Sequence, residues 1–94
     1  MKMTRSSGNV FADLGFDKET AENLRIRADL MIDLRDVIQR KGQVQAAKLF
    51  GVSQPRISDL VRGKIALFTI DMLVNMLARA GKKIVIQTRR KKAA

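Results

Sequence analysis

The chain has 94 residues, 46% of them hydrophobic, which suffices for one small domain with a compact core and not for a deep cavity. It contains no Cys and no His, which excludes disulfides, thiolate metal sites and imidazole as ligand or proton shuttle; no apolar run reaches the ~20 residues of a bilayer span. The formal charge of +10 is uneven: residues 1–36 carry six bases and seven acids, residues 37–94 thirteen bases and two acids. The second part therefore attracts polyanions, nucleic acid first and an anionic membrane second.

Residues 1–16 read as an arm. Met1 to Val10 is polar and lacks the apolar stretch of a signal peptide, so a cytoplasmic location is expected. Val10, Phe11, Leu14 and Phe16 follow as apolar anchors on an extended chain, with Gly8 and Gly15 breaking any helix. The domain proper spans 17–81. Asp17 caps a long helix, with Glu19 and Glu22 in its first turns, where the helix dipole favours acids. Leu24, Ala28, Met31, Leu34 and Ile38 recur at helical spacing, and Leu30 and Val37 widen the stripe. Arg40 and Lys41 suit the C-terminal end and Gly42 stops the helix after about six turns.

A short helix is predicted over Gln43 to Phe50, packing through Ala46, Ala47, Leu49 and Phe50 and ended by Gly51. Ser53 is a good N-cap and Pro55 falls in the first turn of the next helix, which runs to Arg62 and stops at Gly63. Thr69 caps a fourth helix with the stripe Ile70, Leu73, Val74, Leu77 and Ala80, and Gly81 terminates it. Residues 82–88 contain Ile84-Val85-Ile86, β-branched throughout, and read as a short strand. Too short to stand alone, this strand is expected to pair with its copy across a homodimer. Residues 89–94 form a basic tail, either solvated or in nonspecific contact with DNA. The expected fold is all-α, four to five helices with a short C-terminal β-strand.

The informative stretch is residues 43–64, QVQAAKLFGVSQPRISDLVRGK. It reads as two short helices joined by a tight turn. Ala46 and Ala47 let helices cross closely, Gly51 supplies a left-handed turn residue, and Val52, Ile57 and Leu60 close the core. That is the geometry of a helix-turn-helix. On the second helix, Pro55, Ser58, Asp59 and Arg62 point away from Ile57, Leu60 and Val61, with Gln54 and Arg56 on the flanks. Gln and Arg pair with adenine and guanine edges, and Asp accepts from cytosine, so Gln54, Arg56, Ser58 and Asp59 are candidate base readers. Arg62 and Lys64 sit where the helix leaves a groove and suit phosphate, as do Gln43 at a helix N-terminus and Ser53 at the cap. Asp59 is also within helical reach of Arg56 and Arg62, and pairing with either is the alternative to base readout.

These residues resemble the XRE-type, lambda-repressor-like regulators, and within them HigA-like antitoxins of type II toxin–antitoxin modules. Residues 51–65 carry the resemblance most strongly, with Asn9 to Gly15 and Leu24 to Leu30 in support. The resemblance implies a cytoplasmic homodimer that represses its own operon and binds a RelE/HigB-like toxin protein. It also implies that Gln43 and Arg62 touch phosphates and that Gln54, Ser58 and Asp59 lie near bases. Two positions depart from the family pattern. Gly42 stands where Thr is usual, weakening the cap, and Pro55 replaces a polar base-reading position.

Val10, Phe11, Leu14 and Phe16 are candidate toxin contacts, the alternative being an arm folded back as ordinary core. A free-standing XRE-type repressor without a toxin partner is the alternative reading of the whole. Catalysis is not expected, because without His or Cys a nucleophile would need Ser beside Lys or a carboxylate pair, and Ser6, Ser7 and Ser58 lack that setting. No metal, cofactor or membrane partner is expected. RNA binding is disfavoured, since no aromatics are placed on a sheet to stack bases.

Overall fold

The computed structural model describes residues 9–90, and parts of the expected arm (1–8) and basic tail (91–94) lie outside them. The described residues form five α-helices and one 3-10 turn. They are α1 Val10–Asp13, α2 Lys18–Lys41, α3 Gln43–Phe50, α4 Gln54–Val61, the turn Ile65–Leu67, and α5 Ile70–Arg79. The shape is elongated, 47 × 24 × 21 Å, because α2 alone runs 24 residues. That helix packs against every other element.

Local chemistry explains the boundaries. The Asp17 carboxylate accepts from the Thr20 amide at 2.8 Å and opens α2. Serine 53 and Thr69 cap α4 and α5 in the same way, through the amides of Arg56 and Met72. A single residue, Gly42, separates α2 from α3. Its φ of 86° lies in a region open to glycine and strained for a threonine, and it caps α3 with no side-chain hydrogen bond. Gly42 thus forms a one-residue joint between the two helices.

The core gathers around Leu34, Ile57, Leu60 and Leu73, all at zero exposure, with Phe50 and Phe68 nearly as deeply buried. Burial of such side chains stabilises by roughly 1.5–3 kcal/mol each. The predicted stripe of α2 is buried through Leu24, Met31, Leu34, Val37 and Ile38. Phe68 and Met76 join the core as well, although neither belongs to the predicted stripe of the last helix.

Two expectations are corrected. Residues 9–16 are not an extended arm. The Asn9 side chain accepts from the Phe11 and Ala12 amides and nucleates the one-turn helix α1, which fits between the two breaking glycines. The same side chain donates from Nδ2 to the Ala21 carbonyl at 3.2 Å, fastening α1 to α2. At the other end, residues 82–90 carry no regular secondary structure, so the strand expected over 82–88 does not form within the chain. A strand needs a neighbour to take its backbone hydrogen bonds, and no other strand is present among the described residues. Ile84 packs onto the core instead, leaving Val85 and Ile86 exposed at 75% and 72%.

Candidate nucleic-acid interface

The pair α3–α4 is joined by a tight turn at Gly51, whose φ is 72°. The Val52 amide donates to the Ala47 carbonyl and the Gly51 amide to that of Lys48, so these two carbonyls of the last turn of α3 are satisfied as the chain reverses. A Cβ on Gly51 would also lie 2.8 Å from Nε of Arg79. The left-handed backbone is the constraint here, since the Arg79 guanidinium ends a flexible side chain that can move aside.

From this turn α4 emerges with two unlike faces. Ile57 and Leu60 are fully buried, and Val61 partly. On the opposite side Pro55 and Arg62 are exposed and Ser58 and Asp59 half-buried, while Gln54 is exposed at the flank. Gln54 is the first residue of the helix and Arg62 its C-cap, so the two mark the ends of the polar face. The Ser53 hydroxyl accepts from the Arg56 amide at 3.3 Å, which leaves its own O–H to donate outward. Gln43 is exposed at the start of α3, whose first turn has no side-chain cap and so presents amide hydrogens and a positive dipole end.

Three more of the candidate side chains, Asp59, Lys64 and Arg56, have partners within the chain. Asp59 Oδ1 lies 3.8 Å from Nζ of Lys64, not against Arg56 or Arg62. Arg56 Nη1 donates to the Leu67 carbonyl at 3.2 Å, and its guanidinium sits 5.5 Å from the centre of the Phe68 ring. Arg56 thus reaches back from α4 to the 3-10 turn rather than out along the polar face.

A residue that sequence reasoning missed completes the surroundings. Arg27 of α2 donates from Nη1 to both the Ile65 and Phe68 carbonyls, each at 3.2 Å, and from Nε to Oδ1 of Asn23 at 2.7 Å. Its signal was available: Arg27 stands three residues after Leu24 and four before Met31, a base set on the apolar stripe of an amphipathic helix.

The four apolar anchors gather at the α1 end. Val10 and Phe11 are half-buried, while Leu14 and Phe16 are exposed at 70% and 48%. Phe11 and Phe16 meet edge to face with ring centres 6.3 Å apart. No helix of the described residues is long and apolar enough to cross a membrane.

The sequence model of a helix-turn-helix domain family matches residues 10–89. No curated protein matches the chain.

Proposed function

The chain belongs to the helix-turn-helix domain family, and we propose that it is a sequence-specific double-stranded DNA-binding regulator of transcription. The observation that carries this reading is the division of α4, with Ile57 and Leu60 fully buried, Ser58, Asp59 and Arg62 on the outward side and Gln54 exposed at its flank. A helix so held presents short polar and amide side chains where a major groove offers base edges. Gln54, Ser58 and Asp59 read bases. Arg56 joins them only by exchanging the Leu67 carbonyl for a guanine edge. Gln43, Ser53, Arg62 and Lys64 hold phosphates on either side, within a segment rich in bases.

The finer reading is an XRE-type, HigA-like antitoxin: a cytoplasmic homodimer that represses its own operon and neutralises a RelE/HigB-like toxin. The exposed Leu14 and Phe16 support it, since apolar side chains left in water at one end of the molecule suit a protein partner. Val85 and Ile86 give a second exposed apolar pair, suited to contact with a second copy. A domain this small covers about one half-site, so specific affinity calls for two copies.

The test is selection from a random duplex pool, then titration of wild type and Gln54→Ala on the winner and on scrambled DNA. The expected winner has two-fold symmetry, with half-sites ~10 base pairs apart or a multiple of that. Gln54→Ala is expected to cost about 1–3 kcal/mol on it and almost nothing on scrambled duplex, where phosphates supply the affinity. An asymmetric winner, or equal loss on both duplexes, refutes base reading by α4.

A further inference from the structure

The segment that follows α4 is held by two arginines from two different helices. Of its four consecutive carbonyls from Ile65 to Phe68, Arg27 takes those of Ile65 and Phe68 and Arg56 takes that of Leu67. The turn's own hydrogen bonds start at Lys64, whose carbonyl accepts from the Leu67 amide at 3.0 Å. Lys64 is therefore the last residue before a turn pinned from behind, and its ammonium stands beside Asp59. We propose that Arg27 is a positioning residue for DNA binding, fixing the Ile65–Phe68 turn so that Lys64 meets a phosphate.

Arg27 does not act by touching DNA. Its Nε and Nη1 are committed to Asn23 and to two carbonyls, and the side chain is half-buried between α2 and the turn. A planar guanidinium offers donors in a fixed fork, which spans two carbonyls and a side-chain amide at once. A lysine keeps the charge but has no fork. Arg56 shares the task, yet it also stands on α4 beside the base-reading residues, so Arg27 is the side chain that separates positioning from contact. The inference rests on the DNA-binding reading above, and its test includes one arm that needs no DNA.

The experiment compares wild type, Arg27→Met, Arg27→Lys, Lys64→Ala and the Arg27→Met/Lys64→Ala pair, all as the full chain. In the free protein, amide exchange at Leu67 and Phe68 should quicken about tenfold in both Arg27 variants while amides of α3 and α4 hold their protection. On duplex DNA, the slope of log affinity against log salt should fall by ~1 per half-site in each Arg27 variant, as in Lys64→Ala. The double variant should lose no more than either single. A fold merely weakened would lower the active fraction without changing the slope. An unchanged slope, additive losses, or Arg27→Lys behaving as wild type overturns the proposal. Should wild type bind no duplex at all, the functional reading fails, and unchanged exchange at Leu67 and Phe68 would then overturn the clamp itself.

Discussion

Helices α2 and α4 both carry polar side chains on their solvent faces, and they dispose of them in opposite ways. On α2 five of the charges pair with one another along the helix. Arg25 bridges Glu22 at 2.7 Å and Asp29 at 3.0 Å, and Arg40 reaches Asp36 at 3.2 Å. These are three- and four-residue spacings, and each exposed pair contributes only a few tenths of a kcal/mol. On α4 the single acid, Asp59, turns to Lys64 beyond the helix, and Ser58 and the C-cap Arg62 stand outward with Gln54 at the flank. A face that closes its own charges is a solvated wall. A face that keeps varied donors and acceptors pointing outward is suited to meeting a partner of matching pattern.

The largest effect that would break this contrast lies beneath α4. Ile57→Ala removes a side chain with zero exposure and should cost about 2–5 kcal/mol in denaturant unfolding. A loss under 1 kcal/mol would mean that the back of α4 does not hold its front in place. Next come the two arginines compared directly. Arg62→Ala should weaken binding to all duplexes alike and flatten the salt slope by ~1 per half-site. Arg25→Ala should leave that slope untouched and change stability by no more than about 1 kcal/mol, its side chain being 38% exposed. If Arg25 and Arg62 prove interchangeable in the slope, the division between the two faces is wrong.

The smallest effect is at the start of α2. The hydrogen bond from Thr20 to Asp17 holds that carboxyl below its ordinary range. The unfolded chain therefore takes up the proton first as pH falls. The contribution is full above the ordinary carboxylate value and disappears as pH drops through the lowered folded value. The protection of the Thr20 amide relative to an unfolded chain at the same pH should fall on that acid side only, and Asp17→Asn should blunt the dependence.

Much of the motif was legible because its determinants are local. Gly42 and Gly51 end helices, and Ser53 and Pro55 open one, so α3, the turn and α4 appear at the predicted places. What escaped was set by distance. Arg27 meets carbonyls 38 and 41 residues away, and Arg56 one 11 residues away, and no spacing in the chain announces a backbone acceptor. Asn9 was hidden differently, since a single turn of helix between two glycines leaves no periodicity to see. The run Ile84-Val85-Ile86 has the composition of a strand, but local preference decides little where no neighbouring strand accepts it and the core takes only Ile84.

The joint at Gly42 has a mechanical side. At 1.5 Å per residue, α2 is a rod of about 36 Å, and one residue couples its end to α3. Anything that grips the α1 end and tilts the rod by about 5° would carry its far end through ~3 Å, the length of a hydrogen bond. Leu14 and Phe16 precede that rod and the helix-turn-helix follows it, so the length of α2 separates the exposed apolar pair from α3 and α4.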